Sequence, residues 1–106
     1  MNTIENIQLT LKNEPAVMIY FSAPTCNVCH ALKPKLLDAI QSNFDRFKII
    51  SIDISQTPEI SAHFNVFAIP TVLIYLDGQE FLRKSRHMSV GEVISQIERP
   101  YNIMLS

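Results

Sequence analysis

An α/β fold, built on a mixed central sheet of about four strands with helices on both faces, is what this chain of 106 residues predicts. Three observations carry that expectation. Ala16-Val17-Met18-Ile19-Tyr20-Phe21 is continuously apolar apart from one phenol, as a strand covered on both faces should be. Cys29, Leu32, Leu36, Leu37, Ile40 and Phe44 recur at spacings of mostly three and four, which reads as one buried helical stripe. Asp77-Gly78 lies between two strand-like runs and offers two residues that tolerate a left-handed backbone, the signature of a tight hairpin.

The elements follow in order. Ile4, Ile7 and Leu11 share one face of an opening helix over residues 2–12, and Asn13-Glu14-Pro15 breaks it. The first strand and the long helix come next. Phe47 to Asp53 is rich in isoleucine and reads as a second core strand, parallel to the first. Thr57 is expected to cap a short helix with Pro58 at its first position. That helix should end near Phe64-Asn65, where asparagine tolerates left-handed φ. Val72 to Leu76 and Glu80 to Ser85 make the hairpin. Ser89-Val90-Gly91-Glu92 fits a capping box opening the last helix, with Val90, Val93, Ile94 and Ile97 facing inward and Pro100 ending it. The apolar tail Tyr101 to Ser106 is expected to pack back on the domain. Without repeats, linkers or low-complexity tracts, residues 1–106 should form one domain.

Composition excludes several function classes. Nine basic against ten acidic residues give a net charge of −1, so there is no electrostatic case for nucleic acid or an anionic membrane. No apolar run approaches the length of a membrane span. Met1-Asn2-Thr3-Ile4-Glu5 lacks the basic start and apolar core of an export signal, and a cytoplasmic location is expected. With only Gly78 and Gly91 in the chain, phosphate-cradling glycine loops are ruled out.

The chemistry lies in Cys26-Asn27-Val28-Cys29, which holds the only two cysteines. They sit where the buried strand gives way to the helix. A cysteine in the first helical turn faces unpaired backbone N–H groups and the positive end of the macrodipole, and both favour thiolate over thiol. Residues i and i+3 of a helix have Cα atoms roughly 5 Å apart, within the reach of a disulfide. Closing so small a ring removes about 2 kcal/mol of chain entropy from the unfolded state, which makes a poor clamp and a good switch.

Phe21-Ser22-Ala23-Pro24-Thr25-Cys26-Asn27-Val28-Cys29 resembles the active-site segment of the thioredoxin family, and the order of elements resembles that fold over nearly the whole chain. Pro34 stands where the family's active-site helix carries its kinking proline. Ile69-Pro70-Thr71 is similar to the family's cis-proline loop, and Asp77-Gly78 to the turn of its terminal hairpin. The resemblance implies a thiol–disulfide oxidoreductase that reduces protein disulfides. Cys26 would be its nucleophile, Cys29 its resolver, and the redox-active Cys26–Cys29 disulfide its sole prosthetic device. Thr25, Ile69, Pro70 and Arg86 would shape the docking surface, with Ile69-Pro70 cis and against Cys26. The partners implied are protein disulfide substrates and a thioredoxin-reductase-type electron donor, and a monomer is expected.

Departures from the family pattern point to a narrower client range. Thr25 replaces the tryptophan before the first cysteine, and Asn27-Val28 replaces Gly-Pro. The family's buried aspartate six residues before that cysteine is Tyr20, and its lysine partner on the next strand is read as Ile49. In the family that carboxylate helps deprotonate the second cysteine, so here the work falls to water or to the Tyr20 phenol. A glycine flanking the site is Arg86, which gives a bulkier, more cationic rim. The family also usually begins with a further strand, for which there is little room.

Three alternatives compete. Cys26-Asn27-Val28-Cys29-His30 is formally a c-type haem attachment signal, with Met88 or Met104 available as distal ligand. The rest of the chain nonetheless reads as a packed sheet. The two thiols with His30, His63 or His87 could supply zinc ligands, but the histidines are scattered over separate elements. The last is a thioredoxin-fold binding module with little redox activity, favoured by the missing aspartate, tryptophan and Gly-Pro.

Overall fold

The structure is a computed structural model that describes residues 2–106. Met1, part of the export-signal reading, lies outside the described residues. Four helices and four strands follow in this order among the described residues: α1 (Ile4–Asn13), β1 (Ala16–Ser22), α2 (Asn27–Asn43), β2 (Phe47–Asp53), α3 (Pro58–His63), β3 (Thr71–Leu76), β4 (Gln79–Ser85) and α4 (Val90–Leu105). The strands form one mixed sheet in the order β2-β1-β3-β4, with β1 parallel to β2 and antiparallel to β3.

The continuous apolar run of β1 is explained by its central place. Ala16, Met18 and Tyr20 point to one face and meet Leu36 and Ile40 of α2 and Val93 and Ile97 of α4. Val17, Ile19 and Phe21 point to the other and meet Ile7 and Leu11 of α1 and Ile60 of α3. Both sides of the sheet are thus roofed by a helix pair, as expected of a strand with no polar alternation.

Local signals account for most of the boundaries. Thr3 caps α1 by accepting the Asn6 N–H at 3.1 Å. At the end of α3 the Asn65 N–H donates to the Ala62 carbonyl and the Val66 N–H to Ser61, with Asn65 at φ 57. That is a Schellman ending with asparagine in the glycine position. Asp77 and Gly78, at φ 54 and 79, make the two-residue turn between β3 and β4.

Three expectations need correction. Thr57 occupies the N-cap position of α3, but its hydroxyl donates to the Asp53 carbonyl instead of capping. Half of the capping box at α4 forms: Ser89 accepts the Glu92 N–H, while the Glu92 carboxylate pairs with Lys84 at 2.7 Å. Most consequential, Pro100 does not end α4, which continues to Leu105. The missing N–H there is offset by packing. Tyr101 is buried, its ring 4.7 Å from Phe44 and 5.7 Å from Phe47, and its hydroxyl accepts the Arg46 N–H. The tail packs back on the domain as expected, in helical form. Among the described residues, no helix is long and apolar enough to cross a membrane.

Candidate active site

The site grows from the carboxyl end of β1, where open α/β sheets place their chemistry. Ser22 ends the strand and its carbonyl accepts the Ile54 N–H, which ties it to the segment after β2. The chain then turns, with the Cys26 N–H donating to Ala23, so that Thr25 is exposed at the bend. Cys26 is the N-cap of α2: its Sγ accepts the Cys29 N–H at 3.1 Å. A sulfur thus occupies the place usually taken by a serine or aspartate oxygen. Any negative charge on it is stabilised by that N–H and by the helix end.

Cys26 and Cys29 are joined as a disulfide with Cα atoms 5.3 Å apart, as the spacing predicts. The two sulfurs are not equivalent. Cys29 is 1% exposed within the core between the sheet, α2 and α4, whereas Cys26 is half-buried at its edge.

Beneath the pair lies Tyr20, fully buried, whose hydroxyl donates to the Cys29 carbonyl at 2.8 Å. Burial pushes its phenol up to about 12. The sequence suggested this phenol as a substitute for the absent carboxylate. Its proton is instead directed at a backbone oxygen, and it stays protonated at any physiological pH.

The Ile69–Pro70 peptide is cis, as the resemblance implied. Its loop is pinned on both sides. The Thr71 hydroxyl donates to the Ala68 carbonyl and lies 2.9 Å from the Ser85 hydroxyl, while the Arg86 N–H donates to the Pro70 carbonyl at 2.7 Å. Since Thr71 pairs with Phe21 at the end of β1, this loop and the cysteine turn leave the same end of the sheet. Cys26 and Ile69 pack against one core cluster. Arg86 sits at φ 63, the left-handed conformation that suits the glycine it was read as replacing. It lines a concavity of about 510 Å³ with Val28, His87, Met88, Ser89 and Glu92, which brings the 86–92 segment against the CxxC turn.

Two apolar residues join this surface that the sequence did not single out. Val28 is 61% exposed between the cysteines, and Phe67 is 83% exposed just before the cis-proline loop. In sequence, Phe67 reads as one more core aromatic. No local signal in the sequence marks it as exposed. The histidines do not converge. His30 donates from Nε2 to the Pro24 carbonyl at 2.9 Å, His63 meets Gln8 at 3.1 Å, and His87 lines the concavity. Among the described residues, no group of three or more His, Cys, Asp or Glu side chains is placed to hold a metal ion. The sulfurs of the CxxCH segment are bonded to each other, and Met88 and Met104 pack against the core.

The comparisons agree with this geometry. The Thioredoxin family model matches residues 2–99. The thioredoxin-like protein YdfQ of Bacillus subtilis is 30% identical over 103 residues, 97% of this chain and 91% of that protein. The thioredoxin of the same organism is 34% identical over 67 residues, 63% of this chain and 64% of that one. Thioredoxin 1 of Thermosipho africanus superposes with a TM-score of 0.76 at 37% identity, over 85% of this chain and 99% of that one. Oxidised mitochondrial thioredoxin 3 of Saccharomyces cerevisiae, at 22% identity, shares the fold with a TM-score of 0.80 over 92% and 90%. A disulfide of four-residue span at a helix N-terminus, on this sheet and in this lineage, makes the chain a thiol–disulfide oxidoreductase and a member of the thioredoxin family.

Proposed function

We propose that this oxidoreductase works as a reductant of protein disulfides, with residues 1–106 acting as one domain. Cys26 attacks as thiolate and forms a mixed disulfide with the client. Cys29 then displaces the client as a dithiol and regenerates the Cys26–Cys29 bridge. The observation that carries this assignment is the asymmetry of the pair: Cys26 caps α2 at the domain edge, and Cys29 is sealed below it. Thr25, Ile69, Pro70 and Arg86 form the docking surface, to which Val28 and Phe67 add apolar area. The bridge itself is the redox device, with no further cofactor. A thioredoxin-reductase-type donor, a monomeric state and a cytoplasmic site of action complete the reading.

Reduction of insulin by dithiothreitol, followed by turbidity, tests it. The intact chain should accelerate the reaction. Cys26→Ser should abolish the effect, and Cys29→Ser should leave a client stably bonded to Cys26. The departures at Thr25 and Asn27-Val28 favour one competing reading, a binding module with idle cysteines. No acceleration, together with unchanged partner capture by Cys26→Ser, would establish that reading instead.

A further inference from the structure

The peptide of Cys29 is held from both ends. Its N–H donates to Cys26 Sγ at 3.1 Å, and its carbonyl accepts the Tyr20 hydroxyl at 2.8 Å. The Cys29 side chain lies in an apolar cluster that includes Met18, Leu36, Val72 and Ile74. Charged or titratable groups near this end of the domain are His30 and Lys33 on α2, Asp53 ending β2, Glu92 on α4, and Arg86 and His87 before it. Three of these six are engaged elsewhere: His30 with Pro24, Asp53 with Ser55, Glu92 with Lys84. From β3, Thr71 binds Ala68 and faces Ser85. Among the described residues, Cys26 and Tyr20 are the titratable side chains hydrogen-bonded to Cys29, and Tyr20 gives its proton to the carbonyl.

Resting on Cys26 as nucleophile and Cys29 as resolver, we propose that Tyr20 is a positioning residue that fixes the Cys29 peptide and supplies no base, so that solvent hydroxide sets the rate of client release. In that step hydroxide takes the Cys29 thiol proton and the resulting thiolate attacks Cys26 Sγ. The Cys26–Cys29 bond forms and the bond from Cys26 to the client sulfur breaks. The client leaves as thiolate and takes a proton from water. The two cysteines are oxidised by two electrons, and the client disulfide is reduced by two. A buried thiol with no internal base reacts through its small ionised fraction, which rises tenfold per pH unit below its pKa. Near neutrality client release is therefore slow, and mildly alkaline conditions speed it.

Stopped-flow reaction of the reduced protein with one equivalent of 5,5′-dithiobis(2-nitrobenzoate) separates the steps, because attack and resolution each release one coloured thiolate. In the wild type, the second phase should accelerate roughly tenfold per unit between about pH 6 and 8. Tyr20→Phe should slow the second phase relative to the first by about fivefold, the worth of one lost hydrogen bond, with the pH slope retained. A variant altered only in stability would not move that ratio. Tyr20→Asp, which sets a carboxylate in the phenol's place, should flatten the slope. If that variant fails to fold, the other two profiles decide alone. A second phase independent of pH in the wild type, or a slope lost in Tyr20→Phe, overturns the proposal while leaving Cys29 as resolver. A wild type that releases only one equivalent refutes the resolver assignment, and this proposal with it.

Discussion

Replacing Arg86 with glycine should make the protein more stable. Arg86 lies at φ 63 with its N–H donated to the Pro70 carbonyl at 2.7 Å, so the backbone is fixed there by the cis-proline loop. A residue bearing a β-carbon is disfavoured in this region by about 1–2 kcal/mol, whereas glycine enters it freely. Against that gain stands the larger entropy glycine loses on folding, about 0.5–1 kcal/mol. The net expectation for Arg86→Gly is a stabilisation of about 0.5–1 kcal/mol. With an unfolding entropy near 2.1 cal/mol/K per residue over this chain, the thermal midpoint should rise by about 2–5 °C. Scanning calorimetry of oxidised wild type, Arg86→Gly and Arg86→Ala is the assay, since alanine removes the guanidinium but keeps the strain. A midpoint for Arg86→Gly at or below that of Arg86→Ala refutes the reasoning. Both variants should lose efficiency toward protein disulfides, because a strained arginine at the mouth of the site is stability traded for a cationic rim.

Other outcomes follow from single contacts. Phe67→Ser should lower kcat/KM for insulin severalfold, leave the small disulfide reagent unaffected, and change stability by less than about 0.5 kcal/mol, since the ring is almost wholly exposed. Tyr101→Phe deletes the acceptor of the Arg46 N–H and should cost about 1 kcal/mol in guanidinium unfolding, with activity retained. Tyr20 holds its proton to about pH 12 when folded and to about 10 when unfolded, so the folded state binds more protons in that window. Stability should therefore fall there by up to about 1.4 kcal/mol per pH unit, and the wild-type excess of alkaline loss should vanish in Tyr20→Phe. Oxidised protein should resist denaturant more than reduced protein, by about 1 kcal/mol.

The fold was legible because its signals were redundant. The double-faced run of β1, the stripe of α2 and the Asp77-Gly78 turn each specify one element, and each agrees with the others. What escaped was decided by contacts outside the local pattern that the capping and breaker rules read. Pro100 is a helix breaker by local rules, yet Tyr101 gains enough against Phe44 and Phe47 to carry the helix past it. Thr57 and Glu92 have the right chemistry for caps but find partners in Asp53 and Lys84. In the site, spacing predicted the disulfide and the resemblance predicted the cis-proline loop. The exposure of Phe67 and the target of the Tyr20 hydroxyl depend on which way a side chain faces, and neither leaves a mark on the local pattern.

The small effect of oxidation on stability bears on the direction of electron flow. Closing a ring of about four residues removes roughly 2 kcal/mol of entropy from the unfolded chain. Opening it frees Cys26 to hold a thiolate at the N-cap of α2, which returns about 0.3–1 kcal/mol to the reduced fold. The balance, near 1 kcal/mol in favour of the oxidised fold, is linked by a thermodynamic cycle to the bridge itself. Whatever oxidation adds to folding stability, folding adds to the bridge's resistance to reduction. A folded domain more stable when bridged is accordingly a stronger reductant than its own unfolded dithiol. A reduced form more stable than the oxidised one, as in strongly oxidising members of such chemistry, would reverse that inference and remove the energetic support for reducing work. Because the core that roofs both faces of β1 is built almost entirely from side chains other than the bridge, the domain should pass through both redox states folded, as turnover requires.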